Sequence, residues 1–171
     1  TICLVGSEMC IRDSYDTLCR KLLSVNYDKS KYIIFGSKNQ RKNMLTKLKD
    51  DPIKMGDSEL PNTKADTYLG DVIHEEGCEM SITETINARI KKQRNKVEEI
   101  IQLAESPVMS ITGNSVPAFK LYESIIIPSL LHNCESWIGL TDQHISTLQK
   151  FQDEFIKRVL RIPDSTPKAL I

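Results

Sequence analysis

Ser81-Ile82-Thr83-Glu84-Thr85-Ile86-Asn87-Ala88-Arg89-Ile90-Lys91-Lys92-Gln93-Arg94-Asn95-Lys96-Val97-Glu98-Glu99-Ile100-Ile101 decides the fold. A serine followed three residues later by a glutamate is a capping box, whose side-chain oxygens take up otherwise orphaned amides. Ile82, Ile86, Ile90, Val97 and Ile101 then return on one helical face. The pattern predicts a helix of about six turns that starts at Ser81 and ends before Pro107. Its charges are ordered too. The first turns are acidic, which suits the helix dipole, and Arg89, Lys91, Lys92, Arg94 and Lys96 follow without an intervening acid. That run reads either as a solvated helix face or as a surface that tracks phosphates.

Two more helices follow. One begins near Ser115-Val116-Pro117, where proline suits the first turn, and runs through Phe119, Tyr122, Ile125 and Ile126 to a kink or stop at Pro128, with Leu130 to Trp137 as a candidate continuation. The other starts at Thr141-Asp142 and carries Ile145, Leu148, Phe155, Val159 and Ile162, with Gln152 in the gap, until Pro163.

Upstream the elements are short. Ser14 to Leu23 reads as the end of a helix, broken by Asn26-Tyr27-Asp28. Lys31-Tyr32-Ile33-Ile34-Phe35, closed by Gly36, reads as a buried strand. Lys38 to Asp50 is polar and basic, either a short helix around Met44, Leu45 and Leu48 or a loop. Ile53-Lys54-Met55 and Ser58-Glu59-Leu60 flank Gly56-Asp57 as a hairpin. Tyr68-Leu69-Gly70-Asp71-Val72-Ile73 is a second strand candidate, closed by a turn at His74-Glu75-Glu76-Gly77. The expected fold is α+β, a small antiparallel sheet followed by a helical bundle, with 15–80 and 81–171 as domains.

Composition narrows the function. The 171 residues carry 23 Lys+Arg against 23 Asp+Glu, so bulk attraction to polyanions is no argument and only local patches count. Such patches exist: eight basic residues face Asp50 and Asp51 between Lys29 and Lys54, and eight acidic residues face Lys64 between Asp57 and Glu84. No apolar run approaches the roughly 20 residues of a membrane span. Cys3, Cys10, Cys19, Cys78 and Cys134 are odd in number and lack a C-x-x-C pair, so neither a disulfide framework nor a zinc site is expected. Reduced thiols place the expected protein inside the cell, in cytoplasm or nucleus.

Catalytic constellations are weak. His132 and Cys134 lie two apart, a spacing that rarely gives a thiol–imidazole dyad. His74 with Glu75, Glu76 and Glu79 could hold a cation, although a carboxylate-rich turn is usually solvated. There is no phosphate-binding glycine loop and no H-E-x-x-H, and no small-molecule ligand is evident.

Residues 4–14 have a different character. Val5-Gly6-Ser7-Glu8-Met9-Cys10-Ile11-Arg12-Asp13-Ser14, with Leu4 and the end of the Cys3 codon, resemble the translation of a transposase-type sequencing adapter. The alternative is an amphipathic start, with Thr1 to Val5 as a short strand. On the adapter reading, residues 1–14 are set aside and Tyr15 onward is expected to be the C-terminal remainder of a longer protein.

Three stretches in order carry a resemblance: Leu22-Leu23-Ser24-Val25-Asn26-Tyr27-Asp28-Lys29-Ser30-Lys31-Tyr32-Ile33-Ile34-Phe35-Gly36, then Tyr68 to Ile73, then Leu121-Tyr122-Glu123-Ser124-Ile125-Ile126-Ile127-Pro128-Ser129-Leu130-Leu131-His132-Asn133-Cys134-Glu135-Ser136-Trp137. Over about Leu18 to Ile171 they resemble the end of the reverse transcriptase of non-LTR (LINE-type) retrotransposons. The first looks like the family's leucine-x-x-asparagine-x-x-lysine-serine/threonine element, the fourth palm motif. Tyr68-Leu69-Gly70 looks like the primer grip. In the third, His132-Asn133 stands where a tyrosine-glycine is usual.

The resemblance implies a palm edge followed by a thumb, with an RNA template and a DNA primer as partners through the parent polymerase. It implies nucleic-acid contacts at Asn26, Lys29, Tyr68, Leu69, Gly70, Arg89, Lys92 and Lys96. Lys29 would then lie near the incoming nucleotide's phosphates, or else be a surface lysine before a strand. Tyr68 is equally readable as a core aromatic, and Trp137 as a packing anchor. The aspartates that hold the two magnesium ions of such an enzyme precede this region in the family. The chain as given is therefore expected to need no cofactor and to have no polymerase activity of its own. The rival expectation is a stand-alone helical protein-interaction module without enzymatic activity.

Overall fold

The computed structural model describes residues 8–105, 115–163 and 165–167. The chain divides into two compact units, Thr1–Gly77 and Cys78–Ile171.

The first unit opens with α1 (Glu8–Arg20), which takes in residues 8–14. α1 closes with Leu22 at φ +57°, the Leu23 amide donating to the Leu18 carbonyl (3.0 Å) and the Leu22 amide to that of Cys19 (3.0 Å). This is the Schellman closure, with leucine in the left-handed position where glycine is usual. Tyr27–Lys29 is a 3₁₀ turn.

The strand expected at Lys31–Phe35 is corrected: the segment makes one isolated parallel bridge, Tyr32 to Asn62, with the Tyr32 amide donating to Pro61 (3.1 Å) and the Thr63 amide to Tyr32 (3.0 Å). β-rich composition needs a neighbouring strand to pair with, and Phe35 is left 55% exposed. Lys38–Asp50, open between helix and loop, is a helix, α2, started by a reciprocal Ser37–Gln40 capping box.

Two antiparallel hairpins follow. β1 (Lys54–Met55) and β2 (Ser58–Glu59) turn at Gly56-Asp57 as expected. Gly56 has φ +63°, and a Cβ there would lie 2.6 Å from the Tyr15 ring, so the turn and α1 meet through the missing side chain. β3 (Ala65–Tyr68) and β4 (Asp71–His74) pair Tyr68 with Asp71 and Ala65 with His74. The single strand expected from Tyr68 to Ile73 is thus a bend, because Leu69 (φ +50°) and Gly70 (φ +90°) both take the positive φ that a tight two-residue turn demands. Met55 is the one fully buried apolar residue among the described residues of this unit. Polar ties also link its segments: Lys31 Nζ donates to Asp66 Oδ1 (3.0 Å), and Arg41 lies 3.6 and 3.5 Å from Glu75 and Glu76.

The second unit is helical. α3 (Cys78–Glu105) starts one turn before the expected cap, immediately after Gly77 (φ +106°), which places Ser81 inside the helix. Its 28 residues span about 42 Å. After α4 (Val116–Leu121), Tyr122–Ile126 form a π-turn, the Ile127 amide bonding back to the Tyr122 carbonyl. α5 (Ile127–Leu130) then carries Pro128. The expected kink therefore sits ahead of the proline, which has no amide to donate. The helix does not continue to Trp137: Asn133 is left-handed (φ +57°) and Cys134–Ser136 is a 3₁₀ turn. α6 (Asp142–Val159) closes with the Ile162 amide on the Lys157 carbonyl (2.9 Å) and Arg161 at φ +55°.

The core joins these helices. Ile82, Ile86, Ile90, Val97, Ile100 and Ile101 of α3 meet Ala118, Tyr122, Ile126 and Leu130, and Phe151, Phe155 and Val159 of α6. Phe155 stacks on Tyr122 with centroids 4.1 Å apart and meets Phe119 edge-on at 5.8 Å. Phe151, not Gln152, fills the gap in the α6 stripe, and Ile145 and Ile125 are exposed. On α6 the reason is phase: the buried positions 144, 151, 155 and 159 centre on one direction, and 145 and 152 lie about 65–85° round from it. Among the described residues no helix is long and apolar enough to cross a membrane.

Candidate functional site

The sequence-predicted residues fall into two groups, one in each unit. In the first unit Asn26 shapes its surroundings: its Oδ1 accepts from the Lys29 amide (3.3 Å) and its carbonyl from the Ser30 hydroxyl (2.8 Å). Lys29 then projects from the 3₁₀ turn as an exposed side chain. Two residues on, Lys31 ties this segment to Asp66 on β3. The Lys31 hydrogen bond holds the Asp66 carboxyl below the usual carboxylate range. Tyr68-Leu69-Gly70 caps the same hairpin, with Tyr68 36% and Leu69 75% exposed. A leucine in left-handed backbone at an exposed tip is a costly conformation.

In the second unit the basic run of α3 splits by helical phase. Lys91, Lys92, Arg94 and Lys96 are exposed. Arg94 lies 3.9 Å from Glu154, and no ion pair among the described residues engages Lys91, Lys92 or Lys96. Lys92 and Lys96 lie one turn apart, about 6 Å along the axis.

Arg89 departs from the expectation that put it on this face. It is 8% exposed, and its Nη1 donates to the carbonyls of Leu130 (3.0 Å) and His132 at the end of α5. The guanidinium lies 5.3 Å from the centroid of the Trp137 ring. Gln93, 1% exposed, donates to the Ser129 hydroxyl (2.5 Å). Arg89 and Gln93 continue the spacing of Ile82, Ile86 and Ile90 toward Val97, so the gap in the isoleucine stripe is the signal that marks them as inward.

The other candidate clusters are accounted for by the chain itself. Arg41 engages the carboxylates of Glu75 and Glu76. The His132 carbonyl serves Arg89, and His132 and Cys134 are exposed. Among the described residues no three His, Cys, Asp or Glu side chains come together as a metal-ligand group. Asp50 and Asp51 end α2, the Asp51 amide bonding to the Lys47 carbonyl (3.2 Å), and do not form the carboxylate set that a polymerase magnesium pair needs. A cleft of about 60 Å³ between α3 and α6, floored by Val97, Ile101, Phe151 and Phe155, is far smaller than the ~300–1,000 Å³ of small-molecule sites.

No protein-family model, no curated protein and no solved structure matches this chain.

Proposed function

We propose that this chain is a nucleic-acid-binding segment of a reverse transcriptase of the non-LTR retrotransposon type, the edge of the palm followed by the thumb. It binds a primer–template duplex and does not itself catalyse polymerisation. The observation that carries this reading is the pair of exposed cations Lys92 and Lys96 on one face of α3, engaged by no ion pair among the described residues, beside an Arg89 that is turned inward to brace the helix. Fixed on a long packed helix, such cations meet phosphates without sequence readout, as a polymerase requires. The exposed hairpin tip at Tyr68-Leu69-Gly70 supports the same reading from the first unit, as does the Asn26 turn that presents Lys29.

The test is fluorescence anisotropy on a labelled RNA–DNA duplex across a salt series. Lys92→Glu with Lys96→Glu is expected to weaken binding at least tenfold at 0.1 M salt and to lower the salt slope by about 2, one unit for each phosphate contact. Arg89 stays unchanged in this test, because its loss would damage the fold. Unaltered duplex affinity would remove the reading.

One observation favours the rival, a helical protein-interaction module. Leu131, Ile138, Leu140 and Ile145 are exposed at 41%, 77%, 44% and 40% along the connection into α6. Ile138→Ser with Leu140→Ser leaves duplex binding intact under the first reading and abolishes partner capture under the second.

A further inference from the structure

We propose that the outer ridge of α2 is a second phosphate-contact surface, carried by Lys38, Lys42 and Lys49 and suited to the backbone of a nucleic-acid duplex. It stands apart from the α3 reading, on other residues in the other unit.

At 100° per residue the three lysines point within about 40° of one another. They extend over about 16 Å of helix, a length along which a duplex presents roughly ten phosphate charges. All three are exposed, and no ion pair among the described residues engages them. Lys47, exposed on the opposite side of the helix, lies outside this ridge, and Arg41 shows what a structural role looks like here. Arg41, about 80° round from the ridge, is half-buried, donates to the Gly36 carbonyl (2.8 Å) and the Glu75 carbonyl (3.3 Å), and pairs with Glu75 and Glu76. The acidic segment between Asp57 and Glu84 thus takes up the arginine and leaves the lysine ridge with its charge uncompensated.

α2 itself buries no residue, so the chain keeps a 13-residue helix with no core to build. A capping box holds its start. Met44 and Leu45 are its exposed apolar side chains and it has no aromatic residue, which is too little for anchoring in a lipid surface. The remaining chemistry is that of a rigid rod whose cations concentrate along one edge, which matches a polyanion backbone.

The experiment uses the full chain, a fluorescein-labelled 20-base-pair RNA–DNA hybrid and a salt titration. Lys38→Gln, Lys42→Gln and Lys49→Gln together are expected to lower the slope of log affinity against log salt by about 2–3, and Lys42→Gln alone by about 0.9. The triple Lys→Arg variant is expected to keep the slope. Circular dichroism and the melting midpoint are expected to stay unchanged, since none of the three ammonium groups is engaged in an ion pair among the described residues. An unchanged slope in the Gln variants overturns the proposal, as does loss of binding to phosphatidylserine vesicles with the duplex slope intact. Lys92→Glu with Lys96→Glu, titrated in parallel, separates the two surfaces: loss there with an intact α2 effect removes only the α3 reading's rival, and an α2 effect alone removes the α3 face.

Discussion

His144 Nε2 lies 2.8 Å from the Thr83 hydroxyl, which joins the first turn of α6 to α3 through a ring that is only 5% exposed. The Thr141 amide can only donate, so its 3.1 Å contact makes Nδ1 the acceptor and leaves the ring proton on Nε2. The Thr83 hydroxyl in turn donates to the Glu79 carbonyl (2.9 Å). One imidazole therefore caps a helix and docks it. Thr83→Val, which strands a buried ring N–H, is expected to cost about 1–3 kcal/mol, and Thr141→Ala about 1 kcal/mol. Urea unfolding of the two single variants and the double should show a sum smaller than additive, because both act on the same ring.

Arg89 is expected to resist conservative replacement. Its planar fork reaches the Leu130 and His132 carbonyls while its face covers Trp137, and a lysine has one point charge to offer. Arg89→Lys should destabilise by about 1–3 kcal/mol. Trp137 is the sole tryptophan, so its fluorescence reports the change directly. A native emission spectrum and an unchanged unfolding midpoint would refute the bracing role.

Leu69 offers the opposite sign. Its φ of +50° costs a branched side chain about 1–2 kcal/mol that Asn and Gly largely avoid. Leu69→Asn is expected to raise the melting midpoint by a few degrees. If the tip contacts a primer through the leucine, the same variant loses duplex affinity, so stability and binding separate in one protein.

Acid should act on the α3–α6 pair. Arg158 donates to both oxygens of Glu98 at 2.7 and 2.9 Å, and this hydrogen bonding holds the Glu98 carboxyl below its usual value of 4.5. A carboxyl lowered in the fold adds stability above its unfolded value and loses it as the pH falls through the folded one. Arg158→Gln is therefore expected to be less stable than the parent at pH 7, with the difference shrinking as the pH falls below 4.5, as read from urea midpoints across that range.

Gln93 carries a cost that a hydrophobe avoids. Its Oε1 is buried without a hydrogen-bond partner. Gln93→Met is expected to raise stability by about 1 kcal/mol, since the half-buried Ser129 hydroxyl loses little. A drop in the unfolding midpoint would show that the amide is better satisfied than this geometry allows.

Periodic elements were readable from sequence, and their polar punctuation only in part. The isoleucine stripe of α3, the proline start of α4 and the Thr141 start of α6 each rest on local signals and stand in the structure. The Ser81 cap failed because Gly77 already breaks the chain one turn earlier. The Lys31–Phe35 strand failed because pairing is a long-range event, and only Tyr32 finds a partner, at Asn62. Among the candidate contacts, Lys92 and Lys96 are exposed as their composition implies, whereas Arg89 is withdrawn. Charge alone does not separate the two fates; the phase of each residue against the apolar stripe does. The α2 lysines carried the same kind of signal, a spacing of four and seven, inside a segment read only as helix or loop.

Ala118, Tyr122, Ile126 and Leu130 are all buried, and they recur every fourth residue without exception. In an ideal helix a strict repeat of four winds away by about 40° at each step, or about 120° across these three intervals. The wider turn at Tyr122–Ile126 holds more residues per revolution and cancels much of that drift. The π-turn is thus a phase corrector: it lets a four-residue rhythm stay in view of Phe155, whereas an unbroken α-helix over the same residues would carry Leu130 about 120° round from Ala118 and out of the core.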